Sequence, residues 1–399
     1  MPTLWASEAC DHRYDQESGA LITYLTSSAL TSINIYCEQP YTSPDGNRIA
    51  ILRQRDVSFD RYSSLLVADL TTLKVTMIES DCVRNVCNAA WSGQLVYSTN
   101  DDKLFRLNLE TLANEELSMP SNCWLSNCHF GESNELSSVS PDQRYIVLSR
   151  VANIPPTVEI VVFDLETKTE NVILRHPELV NSHLQFNPIH GRDILVQHNR
   201  GSKLAADGSI ASRGGPEGAT HFVIGRDGSN RHDLACGLPH TTSSTGHSNF
   251  VADTDRIAWT SCWDTSVTSL DPKHPEGNLF TAGPGDLAAT VFPAPEHRFS
   301  HLNVSRCGRY FVCDSMPPSM FSDNGVLRNA ALVIGNFETG MYRTLVSDVG
   351  GPSGGGQHTH AHAYLTVDSR NVIYNAPMLG GATQVCAARV PDGFLESLE

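Results

Sequence analysis

The sequence predicts an all-β fold, a seven-bladed β-propeller formed by residues 1–399 as one domain. Three observations carry that prediction. A turn followed by an alternating apolar strand recurs along the whole chain. Most of these units lead into a second strand and a tight turn opened by Asp or Asn. Helical periodicity is scarce, so a doubly wound α/β fold lacks the helices it would need between these strands.

The recurring units, in order, are TSPDGNRIAIL from Thr42, AWSGQLVYS from Ala90, VSPDQRYIVLS from Val139 and FNPIHGRDILVQ from Phe186. VADTDRIAWTS from Val251, VSRCGRYFVCDS from Val304 and TVDSRNVIYNA from Thr366 follow. In each, a polar turn with Pro, Asp or Gly precedes a basic or polar residue and then a strand. The second strands include LLVADLTTLKVTMI, KLFRLNLETLANEEL, VEIVVFDLETKTENVIL, THFVIGRDGSNRHDL, ALVIGNFETGMYRTLV and TQVCAARVPDGFLESL. Their DLTT, NLET, DLET and NFET tetrads begin with Asp or Asn, whose side chain caps a tight turn. The fifth unit is the least regular, because SVTSLDPKHPEGNLF carries two prolines and predicts a longer loop. One blade cannot bury both of its faces, but blades packed in a ring can, and the ring leaves a channel where functional loops gather.

The composition narrows the choice of partner. The 399 residues are 40% apolar, enough for a sizeable core, and carry a formal charge of −16. Such a surface repels nucleic acid and anionic membrane, so neither is expected as a partner. No run approaches a membrane span. The opening MPTLWASEACDHRYDQESG lacks a basic start and an apolar core, which predicts no signal peptide. The eleven scattered cysteines are odd in number and predict reduced thiols in a cytoplasm.

The densest chemical signal is GGGQHTHAHAYL, which begins at Gly354. On an extended strand His358, His360 and His362 share a face, and the glycines before them let the backbone bend so that Gln357 turns toward the same point. Imidazoles with an amide oxygen and no thiolate suit a divalent metal such as manganese, iron or zinc. His301 in RFSHLNVSRCGRY precedes the sixth repeat much as His360 and His362 precede the seventh, so adjacent blades would share the metal. Arg298, Arg306 and Arg309 bracket His301, and with Arg192, Arg200, Lys203 and Arg213 they offer an acidic protein a locally positive mouth.

In these residues the chain resembles the oligogalacturonate lyases, seven-bladed propeller enzymes of polysaccharide lyase family twenty-two. The family's metal motif, Gln-x-x-His-x-His with a histidine from a Ser-His-Leu segment in the preceding blade, is matched by Gln357, His360 and His362 and by Ser300-His301-Leu302. IYCEQPYTSPDGNRIAI resembles the family's opening blade, and THFVIGRDGSNRHDL followed by STGHSNF resembles another of its segments. The resemblance implies that Gln357, His360, His362 and His301 are the metal ligands and that His247 is a catalytic base. It implies β-elimination on a short acidic oligosaccharide, oligogalacturonate first. His183, His198 and Gln39 are candidate substrate-binding residues. Two positions depart from the family pattern: Ala363 replaces a proline, and Thr220 replaces an arginine seven residues before the Asp-Gly of the hairpin. Arg213 and Arg200 are the candidates to serve in that arginine's place. A lyase for another uronate glycan, such as a glucuronate joined to rhamnose, and a non-catalytic propeller that binds a protein are the alternative readings.

Overall fold

The computed structural model of the protein describes residues 4–54, 63–118, 135–152, 155–262, 273–316, 329–350, 359–378 and 381–399. Antiparallel strands dominate the described residues, and a 3-10 turn, Glu396–Leu398, lies near the end of the sequence. Two eight-stranded sheets each divide into two blades. In the first, the strand Lys74–Ala89 pairs through its start with Ser63–Asp69 and through its end with Gln94–Thr99. Asp81, at φ 54°, marks the bend between the two halves. In the second, the single strand pairing between the two blades is that of Ala219 with Ser244. With the four-, five- and four-stranded sheets, the described residues form seven blades. A two-stranded hairpin, Lys203–Leu204 with Ile210–Ser212, is an insertion in the fourth blade that the repeat did not signal.

The predicted turns form as their chemistry requires. Asp69 Oδ1 accepts the N–H groups of Thr71 and Thr72 at 3.0 and 2.8 Å. Asn108 and Asp164 cap their turns in the same way, and Asn336 accepts from Glu338. The irregular loop of the fifth unit lies largely outside the described residues, and its strand resumes at Leu279–Ala282.

The core is divided among the gaps between blades. Seven apolar clusters lie there, and successive residues of one strand serve opposite gaps, as a side-chain period of two dictates. Ile49 and Ile51 pack with Tyr364 and Ile373 of the last blade, whereas Ala50 between them packs with Leu95 and Tyr97 of the second. Ile146 and Leu148 face the second blade and Val147 faces the fourth. A cluster between the last and first blades means that the ring is closed.

Closure uses both ends of the chain. The strand Leu21–Tyr24 pairs with Thr383–Arg389, placing Leu21 opposite Arg389 and Tyr24 opposite Cys386. Thus the last blade takes its fourth strand from the start of the sequence.

Segment 34–41 runs across the centre of the ring and bonds to each of the other six blades. Asn34 donates to His362 O at 2.7 Å. Cys37 O accepts from Asn303 and Glu38 O from Asn249, at 3.0 and 2.8 Å. Glu38 Oε1 lies 3.0 Å from His183 Nδ1. Gln39 bonds to Ser137 O and Ser138, and Pro40 O accepts from Asn88. The channel is therefore crossed by backbone, which turns one end of it into a recess.

Candidate metal centre

Blades five, six and seven bring four histidines together at that recess. His301 lies in Arg298–Val304, whose pairing shifts register between Phe299 and Leu302. His247 lies in Ser244–Phe250, which shifts between Ser244 and Ser248. Such β-bulges release backbone groups from the ladder and re-aim side chains. His362 stands two residues before the innermost strand Tyr364–Leu365, at φ 44°. His183 holds the same place before Gln185–Phe186, also at φ 44°. This left-handed backbone is uncommon for a residue with a Cβ, and in both places it precedes the turn into the inner strand.

His301, His360 and His362 present nitrogens within 4.8 Å of one another. His301 Nε2 and His360 Nδ1 are 3.3 Å apart. The His301 ring lies 4.5 Å from that of His362 and 4.0 Å from that of His247, centre to centre. Behind His301, the fully buried carboxylate of Asp314 accepts Nδ1–H at 2.8 Å and the His301 backbone N–H at 2.5 Å. This bond places the proton on Nδ1 and leaves Nε2 bare, the orientation that a metal-ligating histidine needs.

His362 provides the sharpest test of fit. It is 2% exposed, and neither ring nitrogen has a hydrogen-bond partner. An unsatisfied buried polar group costs about 1–3 kcal/mol. Burial, and then the neighbouring His301, His360 and His183, hold the His362 imidazole well below its ordinary pKa. Burial followed by His301 does the same to His247. Both rings are therefore neutral near pH 7, which is the form that coordinates metal or accepts a proton.

Two other clusters lack this character. In His176, Glu178 and His198, the His176 Nδ1 accepts the Glu178 backbone N–H and His198 pairs with the Glu178 carboxylate at 3.2 Å. In His190, Asp193 and Asp255, the last residue is exposed and His190 Nδ1 accepts the Arg192 N–H.

The remaining predicted residues divide between the recess and other places. His183 sits at the edge of the recess, its ring 5.8 Å from that of Tyr36. Gln39 is 8% exposed and lines a cavity of about 380 Å³ with Tyr36, Arg84 and His183, but its amide is engaged with Ser137 and Ser138. His198 is not brought to the recess. It belongs to the His176 cluster, because the strand Asp193–Arg200 is the second of its blade rather than the innermost. Arg200 is likewise held elsewhere, its guanidinium donating to the carbonyls of Gly218, Leu238 and Glu217. Arg213 is exposed at the end of the inserted hairpin. Thr220 donates to Cys236 O at 2.5 Å, a structural bond. The expected cationic bracket around His301 is incomplete, since Arg309 pairs with Glu338 and Glu399 beyond the following turn. Gln357 and His358 lie outside the described residues.

Sequence reasoning missed Tyr36, Glu38 and Asp314. The Tyr36 ring is 4.6 Å from that of His362 and 6.4 Å from that of His247. Tyr36 and Glu38 lie in the IYCEQP stretch, but nothing in it signals a crossing of the channel. Asp314 follows the apolar run YFVC, where an acid among buried positions was the available signal.

No family model matches the chain, and no curated protein matches it in sequence. In fold it is similar to an oligogalacturonate lyase in complex with manganese, with a TM-score of 0.67, 19% identity and coverage of 99% of this chain and 98% of that one. An oligogalacturonate lyase from Vibrio parahaemolyticus gives 0.71, 17%, 99% and 100%. The β-propeller domain of the Trilobed protease from Pyrococcus furiosus gives 0.50, 10%, 90% and 98%. These likenesses establish the propeller fold.

Proposed function

We propose that the protein is a metal-dependent lyase that cleaves short uronate oligosaccharides, oligogalacturonate first among them, by β-elimination. The observation that carries this reading is the convergence of His247, His301, His360 and His362 at one end of a ring that shares its fold with two oligogalacturonate lyases.

In such a reaction the base takes the proton at C5, beside the sugar carboxylate. The electron pair forms the C4–C5 double bond, and the oxygen at C4 leaves and gains a proton. A divalent metal held by His301, His360 and His362, with Gln357 as fourth ligand and manganese as the first candidate, would supply the positive charge that makes a proton beside a carboxylate removable.

His247 is the base in this reading. Burial and the adjacent imidazoles keep it neutral, and its ring lies against His301. Asp314 orients His301. Tyr36, held on the channel-crossing segment, places its ring 4.6 Å from that of His362 and forms one wall of the recess. The adjoining cavity has room for a second sugar ring, and its wall carries Arg84, paired with Asp102 at 2.9 Å, together with Glu38. The nine cysteines among the described residues are free thiols, which suits a cytoplasmic enzyme acting on imported fragments.

A second reading keeps the fold and chemistry but changes the glycan. It is favoured by Thr220, whose structural bond stands where the family pattern has an arginine. Purified protein incubated with digalacturonate and trigalacturonate distinguishes these readings. Ultraviolet absorbance of an unsaturated uronate that chelator abolishes and manganese restores is the expected result. No absorbance from protein that holds metal moves the substrate to another uronate glycan. No absorbance and no metal leaves a non-catalytic propeller.

A further inference from the structure

A chain of three contacts runs from His247 to the strand that carries His301. His247 Nδ1 is 3.0 Å from Thr245 Oγ1, Thr245 Oγ1 is 2.5 Å from Thr260 Oγ1, and Thr260 Oγ1 is 2.6 Å from Ser300 O. Oxygens this close must have a hydrogen between them, because two facing lone pairs repel.

Counting hydrogens fixes every proton in the chain. Ser300 O is a carbonyl and has none, so the Thr260 hydroxyl donates to it. Thr260 then has no hydrogen left for its contact with Thr245, so the Thr245 hydroxyl donates to Thr260. The longer contact from Thr245 to Thr260 O, at 3.2 Å, does not compete for that hydrogen, since the 2.5 Å contact cannot stand without it. Both hydroxyls are then committed, and Thr245 Oγ1 can only accept from the imidazole. It also accepts the His247 backbone N–H at 3.4 Å, consistent with an acceptor role.

We infer that Thr245 and Thr260 are positioning residues that hold His247 in the tautomer with its proton on Nδ1, leaving the lone pair on Nε2. The inference deepens the lyase reading and rests on it for its catalytic meaning: a base needs a bare nitrogen, and the wrong tautomer would present a donor instead. The two bulges make the relay possible. One sets Thr245 and His247 within the same register shift, and the other lies at Ser300 and His301. Gly246 permits the first, with φ 96° and the Gln197 amide within 3 Å of where a Cβ would stand.

The test is nitrogen NMR of the metal-free, full-length protein labelled with 15N-histidine, with H247Q identifying the His247 signals by their loss. The expected wild-type result is a protonated Nδ1 and an unprotonated Nε2. T245V and T260V should move the signals toward the other tautomer and lower kcat on trigalacturonate ten-fold or more at unchanged metal affinity, while T245S keeps both properties. A wild-type proton on Nε2, or an unchanged tautomer in both valine variants, overturns the inference. The predicted tautomer in a protein that cleaves no uronate would sustain the relay and defeat the lyase reading instead.

Discussion

Asp314, fully buried, accepts the Nδ1 proton of His301 at 2.8 Å and the His301 backbone N–H through its other oxygen. A carboxylate behind a ligating imidazole fixes its tautomer and raises its basicity. D314N keeps the volume but loses the charge. We expect a fold that survives and metal affinity weakened about 10–100-fold, read by competition titration against a chelating dye.

His362 separates stability from binding. Its unpartnered, buried nitrogens cost the metal-free protein about 1–3 kcal/mol. H362L should therefore raise the melting temperature of the metal-free protein or leave it unchanged, and should abolish any rise on adding manganese or zinc. Thermal unfolding with and without metal reads both effects. A metal-induced rise that persists in H362L would place the ion elsewhere.

Acid should unfold the protein partly through His221. Burial, and then the nearby His183, holds this imidazole at about 3, against an ordinary 6.5. A depressed folded-state pKa means that the unfolded chain binds the proton first as pH falls. The stability that depends on a neutral His221 is present above 6.5 and is lost progressively between 6.5 and 3. The slope is at most about 1.4 kcal/mol per pH unit for this group. Denaturant midpoints measured from pH 8 to pH 4 should fall below pH 6.5, and H221Q should fall less steeply.

Ring closure offers a fourth test. Deleting residues 1–24 removes the strand Leu21–Tyr24, strips Ile22 and Tyr24 from the last core cluster and exposes the edge of Thr383–Arg389. Unpaired edges template aggregation. The truncated protein should be insoluble or lack a cooperative transition, and the separate peptide should not restore it at micromolar concentration.

The channel-crossing segment gives the last prediction. E38Q keeps the hydrogen bond to His183 but removes the charge, whereas E38A leaves the recess without the pair. If cavity and recess form one substrate site, E38A should raise KM for trigalacturonate several-fold, with metal content unchanged by elemental analysis.

Much of this was written locally. A period-two strand, an Asp or Asn at a turn and a histidine just before a repeat each express themselves within a few residues, so the seven units, the capped tetrads and the grouping of His360, His362 and His301 could be read from the sequence. Other parts depended on distance along the chain. His198 and Arg200 look like recess residues by spacing, yet they sit on a second strand, because only packing decides which strand is innermost. Tyr36, Glu38 and Asp314 gain their meaning from partners far away in the chain.

The sequence by itself determined the all-β class, the repeat and most of the clustered histidines, because alternation and turn chemistry are properties of neighbouring residues. Only the tertiary structure decided that the first strand closes the last blade, that segment 34–41 crosses the channel, and that Thr260 and Ser300 set a proton on His247. Those outcomes depend on which surfaces bury one another and on where two bulges fall out of register. A chain read in order does not contain that geometry until the ring is closed.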